Sequence, residues 1–431
     1  MELQDIKQVI IDQKKGLESY TKKERIIERE LLKEYKKNIL SNLIKVIQGI
    51  RRCGKSTLAY QLLQEKNFAY ANFDDERLAS LETEDMNRVL ETFYEVYGKF
   101  RFILLDEIQN IYGWELFVNR LQRQGFNIVI TGSNAKLLSK ELATHLTGRH
   151  IPLELFPFSF KEFLRYYGIE FDIKLLSTEE RGLIKNRLNT YIQTGGFPEA
   201  LKENIDIKSY LLSLYSTIIN KDVVLRNRVK YTKTLKDISN YLISNYSCQM
   251  SFNKLKNIFA IKSIHTALNY VSFLEEAYLF FFLKRISSKY KESLIANRKV
   301  YVIDTGLINA LNIKFSQDKG KLYENIVALE LLRKKALGNR EIYYWQDIYK
   351  KEVDFVIKEG LKIKQLIQVC YDISDLETRK RETKALLSAS SELKCKNLLI
   401  ITENKEAEEK IEWFGIKRKV KFVPLWKWLL E

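Results

Sequence analysis

Residues 49–56 restrict the possible folds of this chain more than any other segment. They read GIRRCGKS and fit the pattern G-x-x-x-x-G-K-[ST] at every fixed position. The β-branched run at residues 42–48 predicts a strand before the pattern, and residues 55–65 predict a helix after it. Glycines before a helix let backbone N–H groups surround phosphate oxygens at the positive end of the helix dipole. The segment therefore predicts a phosphate-binding loop in an α/β domain.

ATP with Mg²⁺ is the ligand that this loop predicts. We expect Lys55 to contact the β- and γ-phosphates and the Ser56 hydroxyl to coordinate Mg²⁺. The predicted nucleotide-binding residues are Gly49, Ile50, Arg51, Arg52, Cys53, Gly54, Lys55, Ser56 and Thr57.

A pair of carboxylates, Asp106 and Glu107, follows the apolar run at residues 102–105. We expect Asp106 to hold Mg²⁺ and Glu107 to act as the general base on the attacking water. Ligands of open α/β sheets bind at the carboxyl ends of the strands, so this pair should face the phosphate-binding loop. A buried strand that ends in a solvated acidic turn is the alternative interpretation.

Two further catalytic residues are predicted from their positions after strands. Asn134, with Ser133 as second choice, is the candidate sensor of the γ-phosphate, although an ordinary strand-to-helix turn explains the same residues. Arg149 is a candidate arginine finger, and the protein must oligomerise if this residue acts in trans. A solvated arginine is the alternative.

The fold class predicted from the alternation of strands and helices is α/β. We expect a P-loop NTPase core with a parallel sheet, then a helical lid, a winged helix and a second small α/β domain. Residues 24–32 predict an amphipathic helix. Two short helices at residues 251–259 and 261–277 precede a hairpin-like stretch at residues 278–302, which is typical of a winged helix. The predicted segments are 1–40, an N-terminal helical segment; 41–163, the core; 164–230, the lid; 231–302, the winged helix; and 303–431, the second α/β domain.

The net charge of +17 favours a polyanionic partner, either nucleic acid or an anionic membrane surface, and is equally compatible with lysine-rich surfaces alone. Within the proposed wing, the basic residues that could contact DNA phosphates are Lys284, Arg285, Lys289, Lys291, Arg298 and Lys299. A winged helix that only packs against the core is the alternative.

The four cysteines form no CxxC pair, so the sequence signals neither zinc nor a disulfide framework. No apolar run reaches 18 residues and none resembles a signal peptide, so we expect a cytoplasmic protein without a membrane partner.

Together these residues resemble the prokaryotic AAA-type ATPases that carry a C-terminal domain distantly similar to the restriction-endonuclease fold. The resemblance covers nearly the whole chain. Its matching segments are 49–57, 72–76, 104–109, 130–138, 146–149, 156–163, 195–199, 268–279, 302–307, 323–331 and 352–357. The resemblance implies a AAA core, a lid, a winged helix and a nuclease-like unit.

The nuclease-like unit departs from the pattern that the resemblance implies. Nucleases of that fold hold Mg²⁺ with an acidic residue on a helix, an Asp on a strand and a (D/E)-x-K on the next strand. Glu324 and Asp354 match the first two positions, whereas Gln368 and Cys370 stand where the carboxylate and the lysine are expected. Glutamine carries no negative charge for a metal ion. The resemblance therefore implies a degenerate binding or docking unit.

The expected function is an ATP-binding and ATP-hydrolysing molecular switch. Its candidate partners are double-stranded DNA, a protein that binds the C-terminal domain, and further copies of the chain. One alternative is a regulatory scaffold that retains ATP and recruits a protein partner. Another is an ATP-gated nuclease, against which Gln368 and Cys370 argue. ATP turnover distinguishes the switch from the scaffold.

Overall fold

The structure, a computed structural model, describes residues 2–132, 148–287, 289–312, 318–338 and 340–431. It divides into two units. The first comprises Met1–Pro157 and Glu276–Tyr278, and the second comprises Phe158–Glu275 and Leu279–Glu431. No helix within the described ranges is long and apolar enough to cross a bilayer.

Five parallel strands form the sheet of the first unit. They are β1 (Ile44–Gln48), β2 (Phe68–Asn72), β3 (Phe102–Asp106), β4 (Asn127–Gly132) and β5 (His150–Glu154), in the order β2-β3-β4-β1-β5. Between successive strands run the helices α3 (Lys55–Leu63), α4 (Met86–Tyr97) and α5 (Trp114–Arg123). β1, β3 and β4 are buried along their whole length, as expected for a parallel sheet covered on both faces. The predicted α/β class and parallel P-loop core are confirmed.

The helix predicted over residues 24–32 is wrong. The helix α1 (Leu3–Lys23) ends before this segment, and α2 (Leu32–Lys36) begins at its last residue. In between, the buried residues are Ile27, Arg29 and Leu31. Their period of two is that of an extended chain rather than of a helix.

The second unit begins with helices α6 (Phe160–Tyr166), α7 (Thr178–Thr194) and α8 (Ile207–Thr217), followed by a π-helix at Ile218–Leu225. Ser159 and Ser177 cap the first two helices with reciprocal capping boxes to Glu162 and Glu180. The helical character predicted for this region and its break after residue 194 are both confirmed.

A mixed nine-stranded sheet forms the rest of the second unit, in the order β13-β14-β12-β11-β10-β9-β7-β8-β6. Its strands are β6 (Cys248–Met250), β7 (Phe280–Arg285), β8 (Arg298–Val302), β9 (Arg340–Gln346), β10 (Glu352–Glu359), β11 (Lys362–Val369), β12 (Leu398–Thr402), β13 (Ala407–Trp413) and β14 (Ile416–Pro424). The predicted strands at residues 341–345, 352–357, 366–370 and 397–402 are confirmed. Because β7 pairs in parallel with β9, one sheet continues from the segment 231–302 into the segment 303–431.

Eight further α-helices accompany this sheet among the described residues. They are α9 (Thr232–Ser244), α10 (Phe252–Ile258), α11 (Ile264–Glu276), α12 (Tyr290–Ile295), α13 (Thr305–Leu311), α14 (Lys319–Ala336), α15 (Leu376–Glu392) and α16 (Leu425–Leu430). Helix α12 lies between β7 and β8, so the predicted hairpin has a helical connection.

Lys299 of β8 is only 1% exposed. Its predicted role as a phosphate contact on a flexible arm is therefore wrong.

Candidate nucleotide-binding site

The phosphate-binding loop joins the end of β1 to the start of α3, and both of its fixed glycines are required by the backbone. Gly49 has a φ of 155°, and a Cβ atom there would lie 2.0 Å from the carbonyl oxygen of Leu155. Gly54 has a φ of 97° directly before Lys55, the first residue of α3. Residues with a Cβ rarely adopt these conformations, so the motif fits this turn for a local steric reason.

Lys55 lies inside the curve of the loop, and its side chain is nearly buried. Its Nζ donates to the carbonyl oxygens of Gly49 and Ile50, each at 3.3 Å. The same atom lies 3.8 Å from Oε1 of Glu107. The ammonium is therefore held between the loop and the acidic pair, which is where the predicted contact with phosphate oxygens requires a positive charge.

Asp106 ends β3 and is buried beside the first turn of α3. Ser56 Oγ donates to Asp106 Oδ1 at 3.0 Å, and the hydroxyl of Thr131 donates to the same oxygen. Burial, and to a lesser extent the adjacent Glu107, raises the pKa of Asp106 from 3.8 to about 6. One hydroxyl and one carboxylate side by side fit Mg²⁺, because this ion usually takes only one or two protein oxygens and completes its shell with phosphates and waters.

Glu107 adopts an unusual backbone conformation that directs its side chain. Its φ of 51° lies in the left-handed region, and its N–H donates to Thr131 Oγ1 at 3.0 Å. The Gln109 side-chain amide donates to Glu107 Oε2, while Oε1 faces Lys55. Strained residues that surrounding bonds hold in place are frequent at functional sites. The contacts fix one carboxylate next to the predicted phosphate position, which is the geometry that a general base needs.

The other two predicted catalytic residues do not join this group. Asn134 and its alternative Ser133 lie outside the described residues. Arg149 is exposed, and its carbonyl accepts from Ile44 N at the start of β1. The phosphate-binding loop follows the opposite end of β1, about 13 Å away along the strand. The structure therefore does not bring Arg149 to the site of its own chain, and a role in trans stays a prediction.

Comparisons with known proteins match the chain along most of its length. The family model of an AAA domain matches residues 41–164, and two models of domains of unknown function, DUF8612 and DUF4143, match residues 185–319 and 319–428. The uncharacterized protein MJ1544 of Methanocaldococcus jannaschii is 38% identical over an alignment of 424 residues that covers 95% of this chain and 92% of that protein. The chain belongs to this family of AAA-type P-loop ATPases.

A second relative of this AAA-type ATPase comes from Haemophilus influenzae. That uncharacterized protein is 32% identical over an alignment of 354 residues that covers 78% of this chain and 84% of that protein. Among solved structures, the Walker-type ATPase PABY2304 of Pyrococcus abyssi is similar at 17% identity, with a TM-score of 0.43 and coverage of 67% of this chain and 97% of that one.

Three residues of the AAA-type ATPase site were not predicted from the sequence. Thr131 is the second-to-last residue of β4, next to β3, and it hydrogen-bonds both Asp106 and Glu107. A polar residue at the end of an apolar strand was a signal for it. Gln109 stands two positions after Glu107 in a short turn and was not distinguished from its neighbours.

The third residue, Arg29, is 5% exposed and lies in the extended segment between α1 and α2. It donates to the carbonyl oxygens of Cys53 at 2.9 Å and Phe156 at 2.6 Å. Nothing in a segment rich in charged residues distinguishes this arginine from the exposed Arg25.

Proposed function

We propose that the chain is an ATP-hydrolysing molecular switch. The supporting observation is the Glu107 carboxylate, which two contacts hold: the Lys55 ammonium at 3.8 Å and the Gln109 amide. A loop that only retained ATP would have no need of a directed carboxylate in a strained backbone conformation.

Each side chain then has one task. Lys55 would bind the β- and γ-phosphate oxygens, and Ser56 and Asp106 would hold Mg²⁺, which neutralises developing charge on the phosphates. Glu107 would accept the proton of the attacking water at a carboxylate oxygen. Thr131 and Gln109 orient the two acids and do not contact the nucleotide in this scheme.

The connection that follows the ATPase core is the proposed route by which nucleotide state is transmitted. Arg29 joins the carbonyl of Cys53, inside the phosphate-binding loop, to the carbonyl of Phe156. The chain passes from the first unit to the second directly afterwards, between Pro157 and Phe158. A movement of the loop on binding or hydrolysis would therefore reach this connection. The lid at 164–230 and the winged helix at 231–302 are the proposed responding segments.

Duplex DNA is the partner that the charges of the proposed winged helix favour. Lys262, His265 and Asn269, on or next to α11, are exposed, as are Lys289 and Lys291 next to and within α12. The order α9, β6, α10, α11, β7, α12, β8 places α10 and α11 directly before the antiparallel strands β7 and β8, which supports the winged-helix proposal. Lysine contacts to phosphates would make binding depend strongly on salt.

Steady-state ATP hydrolysis with and without duplex DNA tests both parts of the proposal. We expect a rate that the Glu107→Gln variant loses and that DNA raises several-fold in the wild type. The charge reversal Lys289→Glu/Lys291→Glu should remove the DNA effect and leave the basal rate, whereas Lys22→Glu, at an exposed lysine of α1, should change neither. A basal rate that does not depend on Glu107 would contradict the ATPase proposal. A rate that depends on Glu107 but not on DNA would contradict the DNA partner alone.

A further inference from the structure

A buried ammonium group lies at the centre of three carboxylates in the second unit. Lys299 of β8 is 1% exposed. Its Nζ lies 2.6 Å from Glu324 Oε1, 2.7 Å from Glu352 Oε1 and 2.9 Å from Asp354 Oδ1. A lysine ammonium has three protons, and here each has a carboxylate oxygen as its acceptor.

The carboxylates are held in place from several directions. Tyr301 Oη donates to Glu324 at 2.7 Å, the backbone N–H of Val369 donates to Asp354 at 2.9 Å, and the Gln249 amide donates to Glu352 at 2.5 Å. These contacts come from β8, β11 and β6, whereas the three acids lie on α14 and β10. Oxygen ligands converging from separate elements are the arrangement that hard divalent cations select.

The distances within this cluster are close to those around a large divalent cation. The three N···O distances of 2.6–2.9 Å exceed typical Ca²⁺–O distances of about 2.3–2.6 Å by only a few tenths of an ångström. No group of three or more His, Cys, Asp or Glu side chains in the described part of the chain is arranged to hold a metal ion.

The neighbouring strand supports the same interpretation. Gln368 of β11 accepts from Asp354 N at 3.3 Å and donates to Glu382 Oε2 at 2.7 Å. Its neutral amide therefore stands between two acids where a further carboxylate would add repulsion. Burial alone would lower the pKa of Lys299, but Asp354 and Glu324 outweigh burial and hold this pKa well above its usual value.

We propose that Lys299 is the resident cation of this cluster and occupies the position of a divalent metal ion. The second unit as folded does not take up a metal at these carboxylates, and it is closed to metal-dependent phosphodiester cleavage there. The ammonium also ties β8, in the segment 231–302, to α14 and β10, in the segment 303–431. Removing Lys299 alone would leave three acids facing each other, and a divalent cation would then bind between them.

Ca²⁺ binding to the nucleotide-free full chain, measured by equilibrium dialysis, tests this proposal. The variants are Lys299→Ala, Lys299→Ala/Asp354→Asn and Asp354→Asn alone. We expect Lys299→Ala to bind one Ca²⁺ more per chain than the wild type, and we expect the double variant to lose it. Ca²⁺ at the phosphate-binding loop would be common to all four proteins and cancels in the comparison. Equal Ca²⁺ binding by the wild type and Lys299→Ala would overturn the proposal, as would a wild-type ion that Asp354→Asn removes.

Unpaired buried acids can prevent folding of Lys299→Ala, so its refolding yield provides a second measurement. Removing one partner of a buried charge cluster strongly destabilises a fold, because it leaves the remaining charges uncompensated. We expect Ca²⁺ to restore folding of Lys299→Ala and to leave the double variant unaffected. A variant that stays unfolded at every Ca²⁺ concentration would contradict the idea that the ammonium stands in for a metal.

Discussion

At the scale of single residues, the nucleotide site depends on charges that are held out of water. Lys55 and Asp106 are at most 5% exposed, and the side chain of Glu107 is 18% exposed. Burying an ionised carboxylate costs free energy unless hydrogen bonds and opposite charges offset it. Ser56 and Thr131 offset part of this cost at Asp106. Burial still raises the pKa of Asp106 to about 6, so these hydrogen bonds offset only part of the cost of burying its charge.

The variant Asp106→Asn should therefore make the nucleotide-free protein more stable at neutral pH. The pKa of Asp106 in the folded protein, about 6, lies above the reference value of 3.8, so the fold favours the protonated acid. The stability that protonated Asp106 contributes is therefore lost as pH rises through about 6. The gain from the substitution should be on the order of 2–3 kcal/mol near pH 8 and should shrink toward pH 5. Urea unfolding across this pH range measures it, with the exposed Asp5→Asn as control. A difference that does not depend on pH would contradict this origin.

The same acid predicts the pH dependence of nucleotide binding. The proposed Mg²⁺ site requires ionised Asp106, so the Mg²⁺-dependent part of ATP affinity should weaken as pH falls through about 6. Calorimetric titrations with ATP in Mg²⁺ and in EDTA at several pH values measure this part. An equal loss of affinity in EDTA would assign the effect to another group.

Gln109 is expected to act on turnover rather than on affinity. Its amide holds Glu107, so Gln109→Ala should lower kcat about tenfold and leave ATP affinity within about twofold. Asn110→Ala is the matched control, because that side chain donates to the carbonyl of Phe73 at 3.0 Å instead. A Gln109→Ala variant with unchanged kcat would show that Glu107 is positioned without this contact.

At the scale of elements, the extended segment between α1 and α2 shows where a local pattern was insufficient. Its apolar residues have spacings that fit a helix, and the sequence therefore predicts one. The structure instead buries Ile27, Arg29 and Leu31 at alternate positions. What decides the conformation is the pair of carbonyls at Cys53 and Phe156, which lie 24 and 127 positions away from Arg29 in the chain. No short stretch of sequence around Arg29 includes both of these carbonyl partners.

Arg29→Ala should damage both stability and nucleotide binding. It leaves two carbonyl oxygens without their donor, which costs on the order of 2–4 kcal/mol. Arg29→Lys should recover only part of the loss, because the compact lysine ammonium does not reproduce the planar, forked donors of the arginine guanidinium. Thermal unfolding with and without ATP·Mg²⁺ measures both effects, and Lys22→Ala, at an exposed lysine near the end of α1, is the control. Parallel losses in the two variants would show that the effect is one of net charge.

At the scale of the whole molecule, the motifs of the first unit were predictable and the extent of the second sheet was not. The phosphate-binding loop and the acidic pair each lie within a few residues, so their chemistry is visible in the sequence. The pairing of β7 with β9 joins Lys284 to Tyr343 and cannot be predicted from local periodicity. β13 and β14 were missed because charged residues occupy their exposed faces, although both alternate as strands do.

A chain that ends after Val302 should consequently fail to fold its second unit. The truncation removes β9 from the edge of β7 and removes all three acids that surround Lys299. We expect an aggregating product without cooperative unfolding of residues 158–302. A soluble fragment with native-like circular dichroism in this region would show that the predicted winged-helix segment is an independent domain.

A single turnover of pre-bound ATP tests the ATPase switch most directly. ATP labelled at the γ-phosphate is bound without Mg²⁺, free nucleotide is removed, and Mg²⁺ is added to the wild type and to Glu107→Gln. An ATP-hydrolysing switch should release labelled phosphate from the wild type, while Glu107→Gln retains intact ATP with nearly unchanged affinity. Intact ATP retained by both proteins would contradict hydrolysis and leave a nucleotide-bound scaffold as the function of the chain.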